Sequence, residues 1–157
     1  MRLWRLSGAA YAARFDGGYG LGNDGRWNTS GQPVTYCATG PALCLVEKLV
    51  HVDDLSLLPD NSRIVRYHVP EDVVIEDVWL GDLPKDWHLD VTVTQMIASE
   101  WMSRASSCLL RVPSVILRIA EAEDRNVIIN HRHGDAGRIE IENIEPFAYD
   151  PRLFAAG

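Results

Sequence analysis

The sequence lacks the patterns that mark several large classes of protein. Its three cysteines are an odd number and form no C-x-x-C pair, so neither a disulfide framework nor a zinc site is indicated, and a reducing compartment is expected. No apolar run approaches the roughly 18 residues of a membrane span, and the first residues do not read as a secretory signal. We therefore expect a cytoplasmic protein that does not enter a membrane.

An excess of basic residues is also absent. Asp and Glu number 22 against 15 Lys and Arg, which gives a formal net charge of -7. Proteins that bind nucleic acid by neutralising its phosphates need a basic surface, so direct binding to nucleic acid is not expected. A basic partner is more plausible.

Length and composition indicate one folded domain spanning residues 1–157, with only the last three residues expected to be disordered. Helical spacing of apolar residues predicts helices over 41–50 and 92–105. In the second, Met96, Ile97, Trp101 and Met102 are expected to form the apolar face, with Glu100 and Arg104 as an i,i+4 pair on the other side. β-Type segments are predicted at 3–6, 33–38, 63–69, 73–78, 114–119, 127–129 and 138–144. Short strands with only two helices predict an α+β fold with a mixed, mostly antiparallel sheet rather than regular βαβ units.

A glycine-rich stretch covers residues 17–25. Residues 20–25 match G-x-G-x-x-G, but the dinucleotide motif also needs a hydrophobic strand before it and a helix opening within it, and neither is predicted. No Gly-Lys-Ser/Thr ends the stretch, which excludes a P-loop. The glycines indicate either that a group approaches the backbone closely or that the loop moves.

Three candidate site residues follow this stretch. The planar fork of Arg26 can hold a phosphate or carboxylate through two hydrogen bonds, or it can simply stack on Trp27. Tyr36 in a predicted strand is either a core ring or a platform for a ligand. Glu47 falls beside Leu43 on the border of the apolar helix stripe, so it either points into a cleft or is solvated.

Other chemistry-bearing residues carry weaker signals. Ser114 could be a nucleophile, but no G-x-S-x-G elbow surrounds it, and a serine at a strand start usually serves as a hydrogen-bonding residue. His131, His133 and Asp135 invite a metal site, but they have no further ligand at a familiar spacing and are more typical of a plain loop. We therefore predict no metal.

Several segments together resemble a known family. They are Arg26-Trp27-Asn28, Tyr36, Leu45-Val46-Glu47, Val112-Pro113-Ser114, the stretch 126–133 and the ending 145–153. In this order they resemble the RES domain, a family named for its Arg, Glu and Ser. The resemblance covers nearly the whole chain.

The resemblance implies a function. RES proteins are typically toxins of bacterial toxin–antitoxin systems, paired with an Xre-type helix-turn-helix antitoxin, and their fold resembles ADP-ribosyltransferases. Known members split the nicotinamide–ribose bond of NAD+ by hydrolysis or phosphorolysis, and some ADP-ribosylate a protein instead. The expected substrate is therefore NAD+, with phosphate as a possible co-substrate and no cofactor, and a homodimer or larger toxin–antitoxin assembly is possible. A non-enzymatic antitoxin-binding module is a further alternative.

The resemblance also implies roles for individual residues. Arg26, Glu47 and Ser114 stand at catalytic positions, and Arg26, Tyr36 and Asn130 at NAD+-binding positions. Arg26 would hold the pyrophosphate, and Tyr36 would stack on or orient the nicotinamide. Glu47 would bind the ribose hydroxyls and offset the positive charge that develops on the ribose. Ser114 would hydrogen-bond Glu47 or the ribose. His131 stands where the family usually has a proline, which affects the loop after Asn130 more than the chemistry.

Overall fold

The computed structural model describes residues 1–52 and 58–154, so the predicted disordered end lies outside the described residues. The strands are β1 (Arg2–Gly8), β2 (Val34–Ala38), β3 (Ser62–His68), β4 (Ile75–Asp77), β5 (Leu109–Val112), β6 (Asn126–Asn130) and β7 (Glu140–Pro146). The helices are α1 (Ala9–Ala12), α2 (Gly18–Gly22), α3 (Pro41–Leu49) and α4 (Thr92–Arg104), and short 3-10 turns cover Leu80–Asp82, Gly134–Arg138 and Pro151–Phe154. Among the described helices, none combines the length and apolarity needed to cross a membrane.

One sheet organises the molecule. Its seven strands run in the order β4-β5-β6-β2-β1-β3-β7. The β4–β5 pair is parallel, and the other described pairs are antiparallel. This confirms the predicted α+β class with a mixed, mostly antiparallel sheet and flanking helices. It also agrees with the rejection of a dinucleotide motif, because that motif belongs to a parallel βαβ unit.

Both longer helices pack on the same face of the sheet. Directly opposed residues of antiparallel strands share a face, and side chains two apart along a strand do so as well. By this rule the face that carries Val34, Tyr36 and Ala38 of β2 also carries Ile128 and Asn126 of β6. The buried residues of α4 pack on this face over β2, β5 and β6. Helix α3 packs on the same face, against β1 and β2. The site described below lies on this same face.

The opposite face carries a separate apolar cluster. Its strand residues alternate with those of the helical face, and short segments cover them. Members include Leu3, Ala12, Val65, Tyr67, Cys108, Val127, Ile129, Ala136 and Ile139. Burial on both faces explains the continuous apolar run at 127–129 in β6.

The predicted strand at 114–119 is wrong, since the pairing strand β5 lies earlier, at Leu109–Val112. Pro113 has no N–H to contribute to a ladder. The Ser114 hydroxyl then accepts the backbone N–H groups of Ile116 and Leu117, each at 3.0 Å. A side chain that takes up backbone donors in this way competes with strand pairing.

Helix α4 differs in part from its predicted apolar face. Trp101 and Met102 are buried as predicted, and the predicted Glu100–Arg104 pair is present at 3.0 Å. Met96, however, is 63% exposed, and Thr94 is fully buried. The reason is that the start of α4 holds a loop through polar contacts rather than through apolar packing, as described next.

Candidate active site

The glycine-rich stretch packs against the start of β2. Residues Gly18–Gly22 form the single turn α2, and Gly17 before it has a φ of 71°, a left-handed conformation that favours glycine. A Cβ atom on Gly25 would lie 2.6 Å from the Tyr36 hydroxyl oxygen. Of the two explanations left open by the sequence, close approach to the backbone accounts for Gly17, Gly20 and Gly25, whereas a Cβ atom on Gly22 would meet nothing within 4 Å.

Tyr36 holds the loop that carries Arg26. Its hydroxyl accepts the backbone N–H of Trp27 at 3.0 Å and donates to Asn28 Oδ1 at 2.8 Å. Burial raises the pKa of the Tyr36 phenol above its ordinary value, so the hydroxyl keeps the proton that it donates. Asn28 is itself fully buried and donates to the carbonyl of Asn23 at 2.8 Å. The tyrosine hydroxyl thus fixes the backbone on the C-terminal side of Arg26.

Helix α4 and the loop before it hold Arg26 from the other side. The Thr94 hydroxyl donates to the Arg26 carbonyl at 2.6 Å. The guanidinium donates to the carbonyls of Trp87 and His88 at 3.3 and 3.2 Å, and lies 5.8 Å from the centre of the Trp87 ring. An arginine has five N–H donors, so about three remain without a partner among the described residues. Arg26 is therefore oriented but still able to bind an anion.

Glu47 is held through one carboxylate oxygen. Ser114 Oγ donates to Glu47 Oε1 at 2.8 Å, and Asn126 Nδ2 donates to the same oxygen at 2.6 Å. Ser114 is only 1% exposed. Within residues 1–52 and 58–154, Oε2 of Glu47 has no hydrogen bond. The carboxylate is fixed in orientation, and its second oxygen is available to a ligand.

The sheet register brings these two groups together. Tyr36 of β2 lies opposite Ile128 of β6, and Ala38 lies opposite Asn126. Tyr36 and Asn126 are therefore diagonal neighbours on one face, at a separation of roughly 7–8 Å for such pairs. Arg26 and its loop adjoin Tyr36, while Glu47 and Ser114 adjoin Asn126. The residue that holds the Arg26 loop and the residue that holds Glu47 are thus neighbours on one face of the sheet.

Asn130 does not join this arrangement. It lies opposite Val34, four residues along β6 from Asn126, which is about 13 Å at strand spacing. Its Oδ1 accepts the backbone N–H of Arg132 at 2.9 Å, and its buried Nδ2 has no partner in the described part of the chain. The NAD+-binding role of Asn130 stays a prediction, and the contacts seen are those of a turn.

Asn126 is the site residue that sequence reasoning missed. Asn126 and Asn130 lie four residues apart at the two ends of β6, so the period of two places both on the same face. One sequence feature could have pointed to Asn126 as a site residue: it is an amide immediately before a predicted strand, within the segment 126–133 that carries the family resemblance. Only the register, which sets Asn126 beside α3, distinguishes it from Asn130.

The histidine loop after β6 has contacts of its own. His131 Nε2 hydrogen-bonds Thr35 Oγ1 at 2.8 Å, and burial lowers the pKa of its imidazole. The backbone N–H of Asp135 donates to His133 Nδ1 at 3.2 Å, and the Asp135 carboxylate pairs with Arg138 at 3.0 Å. Across the described ranges, no group of three or more His, Cys, Asp or Glu side chains could hold a metal ion.

Known proteins resemble this chain over almost its whole length. The sequence profile of the RES domain matches residues 2–150. A protein named Toxin Res from Pseudomonas putida is 35% identical over 155 residues, which cover 98% of this chain and 100% of that protein. A protein named Prs ADP-ribosylating toxin from a Sphingobium species is 33% identical over 158 residues, covering 96% of this chain and 95% of that protein.

A solved structure shares the fold. It is the crystal structure of the M. tuberculosis MbcT-MbcA toxin-antitoxin complex, with a TM-score of 0.75 at 18% identity, covering 98% of this chain and 86% of the matched chain. At that identity the likeness concerns the fold alone. Because the profile and the full-length relatives cover nearly all of the sequence, the chain belongs to the RES domain family.

Proposed function

We propose that this chain is the toxin of a toxin–antitoxin pair and that it degrades NAD+ by cleaving the bond between nicotinamide and ribose. The names of its full-length relatives support the toxin role. The observation that carries the chemistry is the Glu47 carboxylate, which is held through Oε1 by Ser114 and Asn126 beside the Arg26 loop. Its second oxygen is the group that meets the substrate.

The reaction needs little acid catalysis. Nicotinamide in NAD+ is a cationic leaving group, so the C1′–N bond breaks with its electron pair going to the ring nitrogen, and neutral nicotinamide departs. The ribose passes through an oxocarbenium-like state, as in glycoside cleavage. Glu47 Oε2 accepts hydrogen bonds from the ribose hydroxyls and stabilises the developing positive charge. Water then adds to C1′ and loses a proton to give ADP-ribose, or phosphate adds to give the phosphorylated product.

Arg26 binds the pyrophosphate in this proposal. Its remaining N–H donors can form the parallel hydrogen bonds that an arginine makes with phosphate oxygens. Tyr36 acts on the substrate mainly by holding the Arg26 loop, since its hydroxyl is already bonded to the Trp27 N–H and to Asn28. The order along the bound dinucleotide is then pyrophosphate at Arg26 and the nicotinamide ribose at Glu47.

The direct test is a product analysis. Purified protein is incubated with NAD+ in the presence and absence of phosphate, and the products are identified by mass spectrometry. Release of nicotinamide with ADP-ribose indicates hydrolysis, and a phosphorylated ADP-ribose that forms only with phosphate indicates phosphorolysis. Intact NAD+ under both conditions would contradict the proposal. Equal toxicity of the parent and of Arg26 and Glu47 variants in a growth assay would instead favour the non-enzymatic binding module.

A second candidate is transfer of ADP-ribose onto a protein. It is favoured by the relative from Sphingobium, which is named an ADP-ribosylating toxin. The same pocket serves both reactions, and only the acceptor differs. Incubation of cell lysate with labelled NAD+ separates them, because a transferase leaves the label on protein whereas a hydrolase or phosphorylase leaves it on a small molecule.

The partner in this proposal is an Xre-type antitoxin that covers the pocket. The matched crystal structure is a toxin-antitoxin complex, and the acidic net charge of -7 suits a basic, DNA-binding protein. A carboxylate of the antitoxin could occupy the free donors of Arg26. Co-purification with loss of NAD+ turnover is the expected result, and full turnover by the complex would contradict this mode of inhibition.

A further inference from the structure

A shallow cleft adjoins Ser114 and has no role in the chemistry described so far. Its walls include Trp79, Pro113 and Leu117, with Glu121 and Asp124 also lining it. Trp79 is 46% exposed, which is unusual for the largest side chain in a folded domain. Ser114 lines the cleft and also donates to Glu47, so the cleft and the oriented carboxylate are neighbours on either side of this serine.

Trp79 is held in place from one side. The guanidinium carbon of Arg125 lies 4.4 Å from the centre of the Trp79 ring. Arg125 is 5% exposed and is itself fixed by Asp77 and by the Arg111 carbonyl, both at 3.1 Å, with a further hydrogen bond to the Val78 carbonyl. Asp77 also pairs with Arg111, at 2.6 Å, so its single negative charge is shared between two arginines. The indole is thus a fixed surface, and a ligand can reach only the part that Arg125 leaves open.

The charge of the cleft restricts what can enter. Neither Glu121 nor Asp124 takes part in a salt bridge within the described ranges 1–52 and 58–154. Glu121 also has a φ of 59°, an uncommon conformation for a residue other than glycine, and one that a structure must hold at some cost. Arg125 also lines the cleft, so two carboxylates face one guanidinium and the lining keeps an excess of negative charge. Such a lining disfavours phosphate groups and favours a ligand that is cationic or donates hydrogen bonds. An indole adds attraction for a flat cationic ring.

We propose that this cleft, with Trp79 as its stacking surface and Glu121 and Asp124 at its rim, binds the pyridinium ring of NAD+. The inference rests on the proposed function. In the dinucleotide the pyridinium ring follows the ribose on the side away from the pyrophosphate. With the pyrophosphate at Arg26 and the ribose at Glu47, the next group reaches the cleft beyond Ser114. The ring carries its positive charge only before cleavage, so the carboxylates attract the substrate more than the neutral nicotinamide product.

This assignment predicts a specific kinetic signature. Attraction to a ring that is charged in the ground state strengthens substrate binding without favouring the transition state, in which the charge has moved to the ribose. Removal of the carboxylates therefore raises KM and kcat together, whereas removal of the stacking surface, which contacts the ring in both states, raises KM and leaves kcat nearly unchanged. A Glu47 variant, by contrast, lowers kcat. The two groups are distinguishable by this split.

The test compares Trp79→Ala, Trp79→Phe and the double variant Glu121→Gln/Asp124→Asn with the parent. Tyr11→Ala is the matched control, because Tyr11 is 60% exposed and contacts Arg14 away from the cleft. The probes are NAD+ turnover, inhibition by nicotinamide, inhibition by the cation 1-methylnicotinamide, and inhibition by ADP-ribose, which lacks the ring. We expect Trp79→Ala to weaken inhibition by nicotinamide and by 1-methylnicotinamide about fivefold to tenfold, and Trp79→Phe to have an intermediate effect. Inhibition by ADP-ribose should stay at the parental level.

The double variant separates charge from stacking. We expect the double variant to weaken inhibition by 1-methylnicotinamide severalfold and to leave inhibition by neutral nicotinamide nearly unchanged. Unchanged inhibition by both pyridine probes in Trp79→Ala would overturn the inference, while parental NAD+ turnover would leave the proposed function standing. Loss of ADP-ribose binding to the same extent as ring binding would also overturn it. If the parent consumes no NAD+, titration of 1-methylnicotinamide by tryptophan fluorescence still reports on the cleft, and a preference for the guanidinium cation agmatine would contradict the pyridinium assignment.

Discussion

The substitution Glu47→Gln tests the proposed chemistry at its centre. Glutamine has the size of glutamate, and its amide oxygen can still accept the bonds from Ser114 Oγ and Asn126 Nδ2, which measure 2.8 and 2.6 Å in the parent. The change removes the negative charge and replaces the free oxygen Oε2 by an NH2 group. That group is a donor, so it can no longer accept from the ribose hydroxyls.

The expected loss follows from the charge. Removal of one well-placed electrostatic stabiliser of a transition state costs about 3 kcal/mol, which is roughly a 150-fold fall in kcat. The fold should change little, because both hydrogen bonds to the side chain can persist and the residue is half-buried at the edge of α3. We expect the free energy of unfolding to fall by less than about 1 kcal/mol.

The assay measures NAD+ loss by mass spectrometry together with a thermal unfolding curve for each variant. Glu100→Gln is the matched control, because Glu100 lies on the exposed side of α4, has a side chain that is 69% exposed, and pairs with Arg104. The control should turn over NAD+ at the parental rate. Near-normal turnover by a folded Glu47→Gln protein would refute the assignment of Glu47 as the charge-stabilising group.

Three further predictions concern the surroundings of the carboxylate. Tyr36→Phe leaves the Trp27 N–H and Asn28 Oδ1 unpaired, so unfolding measurements should show a loss of about 2 kcal/mol and kinetics a KM that rises more than kcat falls. Ser114→Ala removes one donor to Glu47 and an acceptor for two backbone N–H groups, and should lower both kcat, about tenfold, and the melting temperature; an unchanged melting temperature would contradict the structural part. His131 has a pKa lowered by burial, so the unfolded chain takes up a proton first as the pH falls below the ordinary value of 6.5. Stability should therefore decline below that pH, and His131→Asn should flatten the profile.

The parts of this structure that the sequence could predict are those set by local pattern. The helix that carries Glu47 begins at Pro41 as predicted, because proline suits the first helical turn and apolar residues recur at helical spacing after it. The position of Glu47 at the border of the apolar stripe follows from the same spacing. The resemblance to the RES domain supplied Arg26, Tyr36 and Ser114, whose contacts the structure now describes.

The parts that could not be predicted depend on which residues meet across the sheet. Period-two alternation places Asn126 and Asn130 on one face, but only the pairing of Ala38 with Asn126 sets one of them beside Glu47. Ser114 was assigned to a strand from its apolar neighbours, whereas its hydroxyl captures the following N–H groups and ends the ladder at Val112. Trp79 could not be distinguished from the core tryptophans by composition, because its exposure results from tertiary packing.

The two hydrogen bonds to Glu47 fix its carboxylate before any ligand binds. Both donors bind Oε1, so the carboxylate loses rotational freedom without losing the oxygen that faces the ligand. A free glutamate on a helix would have to adopt one rotamer when the ribose binds, and ordering such a side chain costs roughly 1–2 kcal/mol. The hydrogen bonds from Ser114 and Asn126 already order the Glu47 side chain in the folded protein, so ribose binding does not have to order it. These two residues come from the end of β5 and the start of β6, which pair directly through Val112 and Asn126, so the rigidity of the sheet is transmitted to the carboxylate that the proposed reaction uses.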